Sequence, residues 1–262
     1  MRTLKNGVKG LLYVLGLPVG LLALAWWMAA RSDSFYYPTL DEVLTAFGDT
    51  WFSARIVDDV LPSLARLAVG YLGAVLIGVS LGVLLGSHRR SRALLEPVLE
   101  FFRAIPPPVL IPVLMLFSGI GDTMKVAVII AGSVWPVLLN TIEGVRAIDD
   151  VLVDTARCYR ITGAARLRRL VLPAASPQIV VGMRQALSIS LILMVISEMF
   201  ASSNGVGFAI VQFQRSFAIP EMWSGILLLG LLGFALSLLF RLFESRVLGW
   251  YHGLRRSQRG ER

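Results

Sequence analysis

Residues 148–176 read IDDVLVDTARCYRITGAARLRRLVLPAAS, the one long polar interruption in the apolar second half of the chain. The runs on either side of it are apolar enough to cross a bilayer, whereas this stretch is rich in arginine. An arginine costs about 2.5–3.5 kcal/mol at the centre of a membrane helix, so we expect these residues outside the hydrocarbon. Because arginine-rich loops stay on the cytoplasmic side, the stretch predicts a cytoplasmic loop. Its arginines are Arg157, Arg160, Arg166, Arg168 and Arg169.

Local signals predict a first short helix in this loop. Asp149 stands near its start and Arg157 near its end, which is the order that the helix dipole favours. Asp154 can pair with Arg157, three positions later on the same face. Thr162-Gly163 predicts the break after this helix, because glycine can close a helix in the left-handed conformation.

A second short helix is expected over residues 164–171, with Pro173 ending it. Ser176-Pro177 would then be the N-cap and first-turn pair of the next membrane helix. A rigid, charged helical loop on a membrane protein suits the docking of a soluble partner. An ordinary basic loop that only fixes topology would have the same composition, and the residues alone leave both interpretations open.

Composition places the chain among polytopic membrane proteins, since 56% of its 262 residues are hydrophobic and its mean hydropathy is +0.71. The net charge of +8 is concentrated in a few loops, so it indicates topology and not nucleic-acid binding. A lone Cys158 cannot form an internal disulfide, and His88 and His252 lie beside arginines outside the apolar runs, so no metal or cofactor site is expected. The motif Gly-x4-Gly-Lys-Ser/Thr does not occur, so any ATP hydrolysis would belong to another polypeptide.

Six apolar runs are long enough to cross a bilayer, and we interpret the first as a membrane helix and not as a cleaved signal. Six spans place both termini on one side. Of the 25 lysines and arginines, 18 fall in segments on that side, which predicts cytoplasmic termini. The spans are 8–30, 62–86, 94–117, 123–145, 177–200 and 223–243, with shorter outer helices at 40–52 and 206–214. We expect an N-terminal helix with an outer segment over 1–61, a five-helix core over 62–246 and a basic tail over 247–262.

Two spans carry signals for packing and bending. The second has a small residue at every fourth position, which forms a smooth face that another helix can approach closely. This face suits packing inside the bundle or contact with a second copy. In the third, Pro106 begins a run of three prolines that must break or kink the helix. The bend either lines a passage, with Arg103 beside it, or is only structural. The small residues are Gly70, Ala74, Gly78, Gly82 and Gly86.

Glu198 and Asn140 are candidate pathway residues inside the spans. An acid near the outer end of the fifth span is costly unless it is hydrated or paired. Glu198 either lines a gate or holds the turn at residues 202–207 by hydrogen bonds. Arg184, in the same span, is expected to reach toward the cytoplasm.

The segment Asp154-Thr155-Ala156, followed by Arg160 and by Leu170-Val171-Leu172-Pro173, resembles the EAA loop of permease subunits of bacterial ATP-binding-cassette (ABC) importers. That pattern is Glu-Ala-Ala, three residues, Gly, nine residues and Ile-x-Leu-Pro, and its spacing matches without a gap. Asp154, Thr155, Arg160 and Leu170 depart from the pattern. The resemblance implies that the loop docks in a groove of the ATPase. The implied coupling residues are Asp154, Thr155, Ala156, Arg157, Arg160, Gly163, Leu172 and Pro173.

Further segments resemble the branch of this family that carries taurine, aliphatic sulfonates and nitrate, and together they extend over residues 63–250. They are Ser63-Leu64-x-Arg66, Arg103-x-Ile105-Pro106, Gly119-Ile120-Gly121 with Lys125, Glu143-Gly144-Val145-Arg146, Pro173-Ala174-Ala175, and Glu198 before Gly205-Val206-Gly207.

The resemblance implies an all-α integral membrane protein with six transmembrane helices, the type I ABC importer permease fold, and a cytoplasmic coupling helix between helices 4 and 5. It implies a non-catalytic permease subunit, without cofactors, in the bacterial inner (plasma) membrane. The implied partners are two copies of an ABC ATPase subunit, a second permease copy in a homodimer, a periplasmic or lipid-anchored substrate-binding protein and membrane lipid. The implied substrate is a small anion such as an alkanesulfonate, taurine or nitrate, and related branches carry pyrimidine precursors or aromatic acids.

The sequence is also compatible with two other classes of protein. A secondary transporter or channel would need an ion-coupling site, for which Glu198 is the one fair candidate, and no inverted repeat supports this class. A membrane enzyme would need a catalytic group of side chains that one cysteine and two peripheral histidines do not supply. Transport by the chain without an ATPase would favour the first class, and activity of the isolated chain would favour the second.

Overall fold

The structure is a computed structural model and describes residues 35–200 and 202–251, together with Gly20. The predicted span over 8–30, His252 and the end of the basic tail lie outside these residues. Two π-helical turns, Ile56–Val60 and Leu167–Val171, and a 3-10 turn, Pro107–Val109, connect the α-helices. The α-helices are α1 (Leu40–Trp51), α2 (Leu61–Ser87), α3 (Arg89–Ala104), α4 (Leu110–Ser118), α5 (Asp122–Arg146), α6 (Asp150–Cys158), α7 (Gly163–Arg166), α8 (Leu172–Phe200), α9 (Val206–Arg215) and α10 (Ile219–Val247).

The described residues form two compact units, one within residues 1–56 and 209–228 and the other within residues 57–208 and 229–262. The first unit has its core at Trp51, whose indole Nε1 donates to Ser224 Oγ at 3.0 Å and whose ring meets Phe213 edge-on. In the same unit Thr39 begins α1 with a capping box. The division into three regions that we expected from the sequence stays a prediction.

In the second unit, the small residues of α2 pack against α5, as expected for packing inside the bundle. A Cβ added to these glycines would lie 2.5–2.8 Å from side-chain atoms of α5, so only small residues allow this approach. The partner positions on α5 also advance by four, so the two helices run parallel. The facing pairs are Gly70 with Ile129, Gly78 with Val137, Gly82 with Thr141 and Gly86 with Val145.

The segment between these two helices must therefore cross the membrane once, because parallel neighbours begin on the same side. It does so as a bent pair, Leu94–Ala104 and Pro107–Ser118, with an angle of 76° between its halves. Pro106 is extended at the bend, with φ −63° and ψ 123°. The break predicted from the three prolines is confirmed.

The remaining long helices of this unit alternate in direction. Gly144 of α5 packs against Ala175 of α8, whereas Gly132 of α5 packs against Leu193, so α5 and α8 are antiparallel. Val180 of α8 shares a cluster with Phe240 of α10, and further along α8 Leu191 approaches Gly233, so α8 and α10 are also antiparallel. The described residues thus contain four helices that are long and apolar enough to cross a bilayer, and the bent pair would make a fifth crossing. The predicted span over 8–30 would be the sixth.

The boundary between the polar loop and α8 differs from our prediction. Pro173 does not end a helix and Ser176-Pro177 does not begin one, because the chain is continuously helical over Gly163–Phe200. The π-helical turn accommodates Pro173, since the Leu172 N–H bonds to Leu167 O five residues back. Ser176 Oγ donates to Pro173 O at 2.9 Å and so satisfies the carbonyl that Pro177, lacking an N–H, leaves open.

Candidate functional site

The polar loop begins with the short helix α6, as the sequence predicts. Asp149 is its N-cap and accepts from the Val151 N–H at 2.9 Å. The predicted pair between Asp154 and Arg157 is present at 2.8 Å, and both side chains are exposed. The helix therefore presents its charged pair to solvent, where such a pair adds little stability.

The left-handed residue that closes α6 lies three residues before the predicted closure at Gly163. Arg160 is left-handed, with φ 53°. The Ile161 N–H bonds to Ala156 O at 2.8 Å and the Arg160 N–H bonds to Arg157 O at 2.9 Å. These are the two hydrogen bonds of a Schellman motif with Arg160 at its left-handed position. Arg160 occupies the place where the EAA pattern has glycine, and the positive φ explains that preference.

An apolar surface follows the exposed side of this loop. Val151, Leu152 and Tyr159 are 69%, 50% and 77% exposed. Ala156, by contrast, is buried and is the small residue through which α6 packs on the rest of the unit. Val151, Leu152 and Tyr159 thus leave an apolar patch exposed on a charged loop.

The other predicted coupling residues lie along the same loop. Thr155 Oγ1 donates to Val151 O at 2.7 Å within α6. Gly163, with φ 56°, begins α7. Leu172 and Pro173 follow the π-helical turn at the start of α8. The predicted coupling residues thus lie in one continuous segment from α6 to α8.

A buried ion network lies at the opposite end of the same helices, around Glu198. The side chain of Glu198 is 0% exposed. Its carboxylate accepts hydrogen bonds from Ser63 Oγ at 2.7 and 2.9 Å, from Arg66 Nη1 at 2.7 Å and from the Gly207 N–H at 3.1 Å. A buried carboxylate is tolerated when it is paired and hydrogen-bonded in this way.

Arg66 connects three parts of the chain. Its guanidinium, 4% exposed, donates from Nη1 to Glu198, from Nε to Asp122 Oδ1 at 2.7 Å and from Nη2 to Asn204 Oδ1 at 2.6 Å. Lys125, also buried, lies 3.6 Å from Asp122 Oδ1 and donates to Ser202 Oγ at 2.7 Å. Because these groups come from α2, α5, α8 and the following turn, the network connects three helices at the end opposite the polar loop.

The turn at residues 202–207 packs against this network and donates backbone hydrogen bonds to it. The Gly205 N–H donates to Asp59 Oδ1 at 2.9 Å and the Val206 N–H to Ser63 Oγ at 3.0 Å. Gly205 has φ 118°, and a Cβ added there would lie 2.5 Å from Glu198 Cδ. Glycine is therefore required both by the backbone conformation and by the space that the carboxylate fills.

Glu198 thus makes a hydrogen bond to the turn at residues 202–207, and its role in lining a gate or in holding that turn stays a prediction. The sequence analysis did not predict that Arg66, Asp122 and Lys125 join Glu198 in one network. A signal was present, because Arg66 and Lys125 are cations within apolar spans and such cations need a partner. Within the described residues, no group of three His, Cys, Asp or Glu side chains is arranged to hold a metal ion.

The other pathway candidates lie at separate places. Arg103 lies in the last turn of α3 and pairs with Glu100 at 2.6 Å. Pro106 forms the bend of the broken span. Asn140 of α5 faces α8, and its Nδ2 donates to Pro136 O at 2.8 Å and to Gln185 Oε1 of α8 at 3.3 Å.

Comparison with known proteins identifies the family. A family model described as binding-protein-dependent transport system inner membrane component matches residues 74–249. The putative aliphatic sulfonates transport permease protein SsuC of Bacillus subtilis is 27% identical over 250 residues, which are 94% of this chain and 91% of that protein. The taurine transport system permease protein TauC of Escherichia coli is 28% identical over 246 residues, which are 90% of each.

A third relative and a solved structure agree with these matches. The bicarbonate transport system permease protein CmpB of Synechococcus elongatus is 32% identical over 201 residues, which are 76% of this chain and 70% of that protein. A chain of the MetNI methionine ABC transporter, in an inward-facing conformation, shares the fold with a TM-score of 0.62 at 20% identity, over 72% of this chain and 94% of that one. The expected all-α permease fold is confirmed, and the chain belongs to the family of binding-protein-dependent transport system inner membrane components.

Proposed function

We propose that this permease subunit imports a small anion, such as an alkanesulfonate, taurine, nitrate or bicarbonate, and that a separate ATPase drives it. The relatives are named for aliphatic sulfonates, taurine and bicarbonate, which share a small, oxygen-rich anionic group. A pyrimidine precursor or an aromatic acid is the alternative substrate. Selectivity would lie mostly in a binding protein that delivers the substrate, because the permease only has to pass what it receives.

The proposal that an ATPase docks on this loop rests on one observation, the exposed apolar surface of α6. Val151, Leu152 and Tyr159 stand out from a charged loop between two membrane helices. Burying such side chains contributes about 1.5–3 kcal/mol each, which a groove of a partner can supply. The Schellman closure at Arg160 keeps α6 rigid enough to act as one piece.

The continuous helix after this loop would carry the movement. It extends over 38 residues from Gly163 to Phe200, from the docking loop to the buried ion network. A pull on its loop end would therefore act directly at Glu198 and the turn behind it. In the complete importer, two permease copies would form one pathway, each would bind one ATPase subunit, and closure of the ATPase pair would draw the two loops together.

We assign the loop side to the cytoplasm of a bacterial inner membrane, with both termini on that side. The support is the excess of arginine on this side, where Arg157, Arg160, Arg166, Arg168 and Arg169 lie. A periplasmic or lipid-anchored binding protein would dock on the opposite side.

Docking is tested by co-purification of the ATPase with Leu152→Asp. We expect this variant to insert into the membrane normally and to lose the ATPase, because a carboxylate would enter an apolar groove. The matched control is Ile120→Asp, a side chain that is 73% exposed at the opposite end of the helices. Full retention of the ATPase by Leu152→Asp would contradict docking through α6.

The substrate class is tested in liposomes that contain the permease, the ATPase and the binding protein. ATP-dependent uptake of labelled taurine, ethanesulfonate, nitrate and bicarbonate is compared with uptake of orotate and benzoate. We expect uptake in the first group, and uptake confined to the second group would contradict the anion class that we propose.

A further inference from the structure

The exposed face of α8 carries polar side chains inside a membrane helix. Gln178, Gln185 and Ser188 are exposed and recur at spacings of seven and three residues, which keeps them on one face. Arg184 lies beside them and is 57% exposed. The helix is otherwise strongly apolar, with a mean hydropathy of 2.1 over its most apolar 18 residues. Polar groups at membrane depth face water or protein and not lipid, so this face lines a passage or a contact.

The neighbouring helices add polar groups on both sides of this face. On the α5 side, Asn140 Nδ2 donates to Gln185 Oε1 at 3.3 Å. On the α10 side, Arg184 forms an ion pair with Glu244 and lies over the Phe240 ring at 5.9 Å. Glu244 balances the charge of Arg184, so the site has hydrogen-bond donors without a strong net charge.

A mostly apolar groove between α8 and α10 meets this face at Ser188. Its volume is about 290 Å³, which is room for several water molecules. Ser188 and Ser237 bring hydroxyl groups to an otherwise apolar lining. Arg184 lies one helical turn from Ser188, and Glu244 lies two turns from Ser237, so the ion pair stands at the end of the groove.

We propose that Arg184, Gln185 and Ser188 are the residues of this chain that a small anion contacts as it crosses the membrane. A guanidinium, an amide and a hydroxyl all donate hydrogen bonds, and a sulfonate or carboxylate oxygen accepts them. Because Glu244 already engages Arg184, the anion is held weakly and can leave again, as conduction requires. This proposal rests on the proposed import of a small anion and names the contacts within it.

The test uses a thiol as a reporter of water and of charge. Ser188→Cys is made in a Cys158→Ser background, and the complete importer is placed in liposomes. The thiol is then reacted with a methanethiosulfonate that carries a sulfonate and with one that carries a trimethylammonium group. The ratio of the two rates is compared with the ratio at the native Cys158, which is exposed in α6.

We expect Ser188→Cys to react with both water-soluble reagents and to lose uptake when it is modified. Arg184→Gln, added to this variant, leaves the Glu244 carboxylate without its cation, so the site repels the sulfonate reagent and attracts the ammonium reagent. The ratio of the sulfonate rate to the ammonium rate at this thiol should therefore fall about fivefold. In the protein that keeps Cys158 and Ser188, Arg184→Gln should leave the ratio of the two rates at Cys158 unchanged. A thiol that stays unreactive is covered by lipid or protein, and that result would overturn the proposal, as would a ratio that Arg184→Gln leaves unaltered.

Uptake measurements separate this proposal from the proposed function. If the wild-type importer takes up taurine and Arg184→Gln or Gln185→Met takes it up at the same rate, the contacts are wrong while the import function stands. If the wild-type importer takes up no anion but Ser188→Cys labels as expected, the passage is supported and the proposed substrate class fails. Arg184→Lys should retain more uptake than Arg184→Gln, because it keeps the cation beside Glu244.

Discussion

Arg160 shows how a single residue can depart from a family pattern and still keep its geometry. It takes the left-handed conformation at the end of α6, with φ 53°, where a side chain is strained. Its N–H and that of Ile161 still make both closing hydrogen bonds. The helix therefore ends with the same geometry as the family pattern, but an arginine with a strained backbone stands where the pattern has glycine.

Arg160→Gly should therefore stabilise the protein. We expect the free energy of unfolding to rise by about 0.5–1 kcal/mol, since glycine adopts this conformation without a Cβ clash. The midpoint of thermal unfolding in detergent measures the change. Arg157→Gly is the control, because Arg157 lies within the helix and glycine there should lower stability by about 1 kcal/mol. A lower midpoint for Arg160→Gly would show that its guanidinium makes a contact worth more than the strain.

The pair of Arg66 and Glu198 should be the most sensitive ion pair among the described residues. Both side chains are buried, so Glu198→Gln leaves a buried cation with less compensation and should cost about 3–5 kcal/mol. The exposed pair of Asp154 and Arg157 is the control, and Asp154→Asn should cost under about 0.5 kcal/mol. Thermal unfolding in detergent compares the two.

A double variant separates charge from shape in this pair. Arg66→Met with Glu198→Met removes both charges and should be more stable than Glu198→Gln alone, because no ion of the pair is left unmatched. If Glu198→Gln has the stability and uptake of the wild-type protein, the carboxylate does not hold the turn at residues 202–207.

At the scale of elements, the contact between α2 and α5 depends on the absence of side chains. Gly82→Ala would place a Cβ 2.5 Å from Thr141 Cβ and 3.0 Å from Leu138 O, so the two helices would have to separate. We expect a loss of about 2–3 kcal/mol, within the range for overpacking. Gly230→Ala, in α10, is the control because nothing lies within 4 Å of its added Cβ. It should raise stability by up to about 1 kcal/mol.

The same measurement, thermal unfolding in detergent, tests this contact. If Gly82→Ala and Gly230→Ala change the midpoint alike, the close approach of α2 and α5 does not depend on the size of residue 82. Tyr71→Phe adds a milder test of the second interface of α2, because Tyr71 donates to Met183 O of α8 at 3.2 Å. Loss of that hydrogen bond should cost about 1 kcal/mol.

For the whole molecule, the directions of the packed helices predict which segments share a side of the membrane. α2 and α5 run parallel and α5 and α8 run antiparallel, so Ser87 and Cys158 lie on one side and Ile120 on the other. Native Cys158 is compared with Ser87→Cys and with Ile120→Cys, the last two in a Cys158→Ser background. An impermeant maleimide added to intact cells should label Ile120→Cys, whereas the other two should label only after the membrane is opened.

Two kinds of contrary result are distinguishable. If Ser87→Cys and Cys158 label on opposite sides, the bent pair of α3 and α4 does not cross the membrane and the order of spans is wrong. If both label in intact cells while Ile120→Cys does not, the spans are correct and the proposed orientation is inverted.

Hydropathy and charge were enough to predict the class of protein, the spans from residue 62 onward, the polar loop and its first helix. These properties act on each segment by itself, because a bilayer accepts or rejects a helix according to its own residues. The spacing of Gly70, Gly78 and Gly82 likewise defined a packing face without naming its partner. The break at Pro106 was predictable because proline removes a helical hydrogen bond wherever it stands.

Other features arose from contacts between distant residues. Ser63 and Glu198 are 135 positions apart, and no local pattern pairs them. The helix continues past Pro173 because a π-helical turn and the Ser176 hydroxyl satisfy its carbonyls, and α6 ends at a left-handed Arg160 because its two closing hydrogen bonds hold that strain. Propensities and hydropathy describe one segment at a time, whereas burial, pairing and tolerated strain depend on what the completed bundle places around each group.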